Sequence, residues 1–207
     1  DGITGDVVEH YLKHLAGRTA IAFCVTVAHA ENVAARFRDN GIPAASIDGT
    51  MSADDRRDVV NKLRTGAIRV LTSCELVAEG FDAPAVGGAI LLRPTQSFAL
   101  FRQQVGRCLR PKADGSGAVI VDHVGNVWRH GLPDDPHEWS LDSKRRSQTE
   151  RNQAAAGCRK CKACDEVFST GADRDGCLMP DDAECLFRPR VLPERAGVLA
   201  EVNTSQD

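Results

Sequence analysis

Five short apolar runs recur between residues 19 and 121, at 19–25, 44–47, 68–72, 89–92 and 118–121. They are apolar at successive positions rather than at every second one, the pattern of strands buried on both faces. Between them lie segments whose apolar residues recur at helical spacing. Val7, Val8, Tyr11, Leu12 and Leu15 do so in 6–16, and Val33, Ala34 and Phe37 in 28–40, which Gly41 stops. Ser52 with Asp55 three residues on reads as a capping box opening a third helix, which runs to Leu63 and ends at Gly66. A fourth helix covers 97–109. Strands of this kind alternating with helices predict an α/β fold, one parallel sheet with helices on both faces. Such a sheet carries its working loops at the carboxyl ends of its strands, where Thr26, Gly49, Thr72 and Pro94 fall.

Beyond Gly131 the alternation stops. With 207 residues the chain has room for one good-sized domain and a small appendage. The pattern divides it into an α/β domain at 1–142, a basic linker at 143–157, a Cys-rich module at 158–190 and an unpatterned tail at 191–207 that reads as flexible. Trp139 and Leu141 are expected to pack back onto the first domain. From 144 to 162, Lys144, Arg145, Arg146, Arg151, Arg159, Lys160 and Lys162 face the single acid Glu150. A solvated linker and a phosphate-contacting segment fit that run equally well.

The overall charge of −3 carries no basic signature, so a nucleic-acid-binding function has to concentrate its positive charge locally. Apolar content of 42% and charged content of 27% are those of a soluble globular protein. No apolar run is long enough to span a bilayer, and Asp1-Gly2-Ile3-Thr4 is not a secretory leader. The expectation is a cytoplasmic protein, and the start reads as the interior of a longer polypeptide.

The eight cysteines fall into two sets. Cys24, Cys74 and Cys108 sit in apolar segments and read as small buried hydrophobes. Cys158, Cys161, Cys164, Cys177 and Cys185 crowd the last quarter, and in a chain without secretion signals such crowding points to metal before disulfides. Thiolates at this density favour tetrahedral zinc, and Cys-x-x-Cys is the usual knuckle spacing. Five cysteines compete for four places. The favoured set is Cys161, Cys164, Cys177 and Cys185, because Cys164-Asp165-Glu166-Val167-Phe168 continues like a zinc-ribbon knuckle. An iron–sulfur cluster and a disordered Cys-rich tail remain as alternatives. His123, His130 and His137 are not spaced with these cysteines and read as structural or solvent-facing.

The stretch with the most chemistry is Gln103-x-x-Gly106-Arg107-x-x-Arg110, on the helix at 97–109. A spacing of three puts both guanidiniums on one helical face, beside a glycine that leaves room for close approach. Their planar, permanently charged forks suit the oxygens of a phosphate chain. Standing alone, an Arg-x-x-Arg is more simply a solvated surface pair.

It does not stand alone. Gln103-x-x-Gly106-Arg107-x-x-Arg110 resembles motif VI of the superfamily 2 helicases, which closes the ATP site from the second RecA-like lobe. Upstream, Thr72-Ser73-Cys74-Glu75-Leu76-Val77-Ala78-Glu79-Gly80-Phe81-Asp82-Ala83-Pro84 resembles motif V, and Ala20-Ile21-Ala22-Phe23-Cys24-Val25-Thr26 resembles motif IV. Gly49-Thr50-Met51 followed by Arg56 resembles the loop between them. With Asp122-His123-Val124-Gly125-Asn126 and Arg129-His130-Gly131, the set looks most like the bacterial and phage DEAD/DEAH-type DNA helicases, over roughly residues 18 to 130.

The resemblance implies a RecA-like lobe in which Arg107 and Arg110 reach the γ-phosphate of ATP. An arginine so placed stabilises charge on the transferring phosphoryl group, and its loss costs on the order of 10³-fold or more. Gln103 would orient by hydrogen bonding, and Gly80 with Asp82 would meet the ribose. Thr72, Ser73, Thr26 and the Gly49–Thr50 backbone would hold the sugar-phosphate of one strand without reading its sequence. Read without the resemblance, Asp82 is a turn residue before Ala83-Pro84.

The chain contains no Gly-x-x-x-x-Gly-Lys-Ser/Thr loop and no Asp-Glu-x-His/Asp box. Asp54 and Asp55 open a helix and read as capping acids. ATP with magnesium would therefore be shared with a separate N-terminal RecA-like lobe of the same parent chain, and this chain alone is expected to be inactive. The expected function is the C-terminal half of an ATP-dependent DNA helicase or translocase, with DNA the expected track and RNA possible, followed by a zinc-binding module. The rivals are a non-catalytic nucleic-acid-binding module and the motor part of a restriction or repair enzyme.

Overall fold

The computed structural model describes residues 7–74, 86–110, 112, 115–133, 135, 158–160 and 167–169. Five strands form one sheet: β1 (Ala20–Phe23), β2 (Ala44–Ile47), β3 (Val70–Ser73), β4 (Gly88–Leu91) and β5 (Val119–Asp122). Their order is β2-β3-β1-β4-β5, and every neighbouring pair is parallel. Helices α1 (Val7–His14), α2 (Val27–Asp39), α3 (Ala53–Thr65), α4 (Phe98–Gly106) and α5 (Asn126–His130) alternate with them. The α/β expectation holds.

Successive side chains on a strand point to opposite faces, and two cores result. Ala20, Ala22, Val70, Ile90 and Leu92 pack with α1 and α2 on one face. Ile21, Phe23, Leu71, Ala89 and Leu91 pack with residues of α3 and α4 on the other, around Leu63, Phe101 and Val105. Gly88 serves the first contact. A Cβ on Gly88 would stand 2.6 Å from the Val119 carbonyl and closer still to Leu15, the residue after α1, so glycine there lets β5 and the end of that helix pack closely on β4.

Helix boundaries follow local chemistry. Ser52 Oγ accepts from Asp55 N at 3.1 Å and also hydrogen-bonds the Asp55 carboxylate at 2.7 Å, which is the expected cap on α3. Gly66 closes that helix in the left-handed conformation, at φ 77°. Helix α4 departs from expectation. It ends at Gly106 rather than 109, through an i→i−3 bond from Cys108 N to Val105 O at 3.0 Å. Gly106 weakens the helix from within, and Pro111 disfavours helical backbone at Arg110.

The chain divides into two compact units, 1–157 and 158–207. In the second, β6 (Cys158–Lys160) pairs antiparallel with β7 (Val167–Ser169), Cys158 opposite Ser169 and Lys160 opposite Val167. Trp139, Leu141 and the basic run at 144–157 lie outside the described residues.

Candidate functional site

All five strands end on the same side of the sheet; their carboxyl-end loops carry Thr26, Gly49 and Thr50, Thr72 and Ser73 end β3 itself, and Gln103, Arg107 and Arg110 lie toward and beyond the C-terminal end of α4. After β1, Thr26 caps α2: its Oγ1 accepts from His29 N at 3.1 Å, and the side chain is exposed. Val25 N donates to His29 Nδ1 at 3.3 Å, so that nitrogen has to be unprotonated. Burial pushes the His29 pKa below its ordinary value, which favours the same form.

After β2, Asp48 Oδ1 accepts from both the N–H and the hydroxyl of Thr50, each at 2.6 Å. These bonds, the hydroxyl one foremost and Arg56 contributing less, hold the Asp48 carboxyl below the usual range. The turn leaves Gly49 and Thr50 exposed. Arg56, on α3, brings Nη2 to 3.4 Å from the Asp48 carbonyl.

Thr72 and Ser73 end β3 on the inside, at 0% and 2% exposure. The Thr72 hydroxyl donates to Ala30 O of α2 at 2.8 Å. It therefore ties a helix to the sheet instead of standing in a loop. Gly80 and Asp82 lie outside the described residues.

After β4 comes the loop that launches α4. Ser97 Oγ caps the helix by accepting from Leu100 N at 3.2 Å, and Ser97 N donates to Thr95 Oγ1 at 3.0 Å. Phe101, Gln104 and Val105 point into the core, while Gln103 and Gly106 face outward, and a Cβ on Gly106 would meet nothing within 4 Å. Arg107 is the C-cap of α4 and half-buried; Arg110 is exposed beyond the helix end. The expectation that both arginines share one helical face is thus corrected. Arg107 continues the line of α4, whereas Arg110 stands on the following turn, for the backbone reasons given above.

Sequence reasoning missed the contribution of Arg93, whose Nη1 donates to Cys74 O at 2.8 Å and joins the ends of β3 and β4. An arginine straight after a buried run and before a proline was the available signal. It missed as well that Asn126 and His130 hold the β4–α4 loop. Those two residues belong to a recognised block, but the block's spacing does not disclose its partners.

Cys161, Cys164, Cys177 and Cys185 lie outside the described residues. Cys158 is buried at the start of β6. Among the described residues, no group of three or more His, Cys, Asp or Glu side chains is arranged to hold a metal.

A five-stranded parallel sheet in this order, with helices on both faces and polar loops along one edge, is the RecA-like lobe of helicases. Structural neighbours agree at the level of fold. The C-terminal domain of the DEAD-box protein Dbp5 superposes with a TM-score of 0.51 at 18% identity, over 58% of this chain and 68% of that one. The E. coli DEAD-box protein SrmB, solved bound to regulator of ribonuclease activity A, gives 0.53 at 22% identity, over 61% and 77%. Residues 5–112 match the Helicase conserved C-terminal domain, and the chain belongs to that family. A 51.5 kDa protein of a Lactococcus phage (isolate 7-9) is 39% identical over 137 residues, which are 66% of this chain and 30% of that protein. The ATP-dependent rRNA helicase RRP3 of Candida albicans is 30% identical over 122 residues, 58% of this chain and 23% of that protein. The chain thus spans under a third of the length of either relative.

Proposed function

We propose that this chain is the C-terminal lobe of an ATP-dependent helicase or translocase, and that it completes, from one side, an ATP site opened by a second lobe of the same polypeptide. The observation that carries the reading is the geometry of α4. Its start is capped and fastened, its inner face is buried, Gln103 and Gly106 are exposed toward its C-terminal end, and the half-buried Arg107 is its C-cap. Donors of that kind suit phosphate oxygens, whereas the chain offers neither a phosphate-binding loop nor an acidic box for magnesium.

In this reading Arg107 and Arg110 face the γ-phosphate and stabilise the charge that builds on its oxygens during transfer, with Gln103 orienting beside them. Gly80 and Asp82 would meet the ribose. Thr26 and the Gly49–Thr50 turn would grip one strand through its sugar-phosphate, held in shape by the His29 and Asp48 bonds. Thr72 and Ser73 lie beneath that edge, and their hydroxyls would join the grip only with the Thr72–Ala30 bond opened. Closure of the two lobes on ATP and their opening after hydrolysis would advance the strand.

DNA is the proposed track, from the motif set; the name of the RRP3 relative favours RNA as the second reading. In the full-length parent, Arg107→Ala is expected to lower nucleic-acid-stimulated ATP hydrolysis about 10³-fold with ATP binding largely kept. Unchanged hydrolysis in that variant would leave the non-catalytic binding module as the better account. Stimulation by RNA and not by DNA would move the track to RNA.

The Cys-rich unit is proposed to bind one zinc ion through Cys161, Cys164, Cys177 and Cys185. The support is the Cys161-x-x-Cys164 spacing, which falls in the sequence between the antiparallel strands β6 and β7. Elemental analysis of the purified parent is expected to give one zinc per chain, lost in Cys164→Ser and retained in Cys158→Ser. Loss in Cys158→Ser with retention in Cys164→Ser would contradict that ligand set.

A further inference from the structure

The block from Asp122 to Gly131 has no part in the phosphate or track assignments, yet it is where the loop before α4 is fastened. Asp122 begins it. Its Oδ2 accepts from Val127 N at 2.8 Å and its Oδ1 from Val124 N at 3.2 Å, folding the chain back into α5. Asn126, 1% exposed, is thereby aimed at the β4–α4 loop. Its Oδ1 accepts from Thr95 N at 2.9 Å and its Nδ2 donates to Arg93 O at 3.0 Å. One turn on, His130 Nε2 lies 2.9 Å from Thr95 O; a carbonyl only accepts, so that nitrogen carries a proton. The imidazole also stacks on Phe101 of α4, centroids 5.3 Å apart and planes at 21°.

We propose that Asn126, supported by His130, is a positioning residue for the arginines that follow α4. It clamps the two peptide groups on either side of Pro94, in the loop that launches that helix, and it acts on Arg107 through Thr95, Ser97 and α4. The inference rests on reading Arg107 as a phosphate-facing group. The chemistry of the clamp is specific, because one side chain must donate to a buried carbonyl and accept from a buried N–H. A carboxamide does both; a carboxylate of the same shape cannot donate and would turn an oxygen onto the Arg93 carbonyl. The lever is long as well. Nine helical residues span roughly 13 Å, so a tilt of about 5° at Ser97 displaces Arg107 by about 1 Å. Misplacement on that scale can cost on the order of 10²-fold in rate. Arg93 carries the same clamp to Cys74 O, at the point where β3 leads toward Gly80 and Asp82.

The test uses the full-length parent and four variants: Asn126→Asp, His130→Phe, Arg107→Ala and the double Asn126→Asp/Arg107→Ala. All are assayed for ATP hydrolysis with nucleic acid, below their melting temperatures. Asn126→Asp is expected to lower kcat by tenfold to about 10²-fold, with KM for ATP and nucleic-acid affinity changed by less than about twofold. His130→Phe keeps the ring on Phe101 and loses only the donor, so a smaller loss of kcat is expected; it decides the matter should Asn126→Asp not fold. In the Arg107→Ala background, Asn126→Asp is expected to cost nothing further, because it works through that arginine. Equal losses of kcat in both backgrounds would make Asn126 merely structural and overturn the proposal. So would an unchanged kcat in Asn126→Asp, or in His130→Phe where it decides, beside a crippled Arg107→Ala, and the arginine reading would then survive. Full activity in Arg107→Ala would overturn both.

Discussion

Two cysteines show how far the interior imposes itself on single side chains. Burial pushes the Cys24 thiol up to about 12, its neighbour Cys74 adding to the effect, and burial pushes Cys108 up to about 11. Both are held neutral, and the folded state keeps these protons more tightly than the unfolded chain, whose thiols titrate near 9.0. Their contribution to stability is therefore complete below about pH 9 and falls away as pH rises from there toward 11 and 12. Chemical denaturation between pH 8 and 11 should show the midpoint dropping above pH 9, and a thiol reagent at pH 8 should label Cys24 and Cys108 only after unfolding. Rapid labelling of either in the native protein would contradict this. That these thiols are buried hydrophobes was legible, since each sits in an apolar run. That Thr72 spends its hydroxyl on Ala30 was not. A threonine at a strand end looks the same in sequence whether it faces solvent or a helix backbone 42 residues away.

At the scale of elements, the strands were legible because burial on both faces leaves no polar alternation, and each begins and ends within a few residues of its apolar run. Helix α3 was legible from Ser52, Asp55 and Gly66, which are local signals with local partners. The end of α4 was harder to read. The helical spacing of apolar residues runs on past Gly106, and the competing effects of Gly106 and Pro111 decide the boundary without changing that spacing. The packing at the end of α1 on β4 was illegible too, since nothing in the sequence pairs Gly88 with Leu15. Gly88→Ala accordingly tests the fold. With the Val119 carbonyl of β5 only 2.6 Å from the added carbon and the Leu15 side chain closer still, β5 and Leu15 must give way, at a cost of about 1–3 kcal/mol. Urea denaturation should report a lower midpoint; an unchanged one would mean that α1 and the Leu15 that follows it sit more loosely than the burial of Val7, Tyr11 and Leu15 implies.

For the whole molecule, the chain carries neither a phosphate-binding loop nor an acidic box, so in the proposed function a second lobe supplies the rest of the ATP site. The first unit was legible as a RecA-like lobe because four motif blocks fall in order, three of them at strand ends and the last on α4. The Cys-rich unit was legible only as a composition, because thiol spacing states a coordination number before it states which thiols supply it. The most direct measurement is ATP hydrolysis by the full-length parent and by this 207-residue chain, each with and without DNA or RNA. The account predicts strong nucleic-acid stimulation in the parent and no hydrolysis by the isolated chain. Hydrolysis by the isolated chain, or none by the parent under any condition, would contradict it.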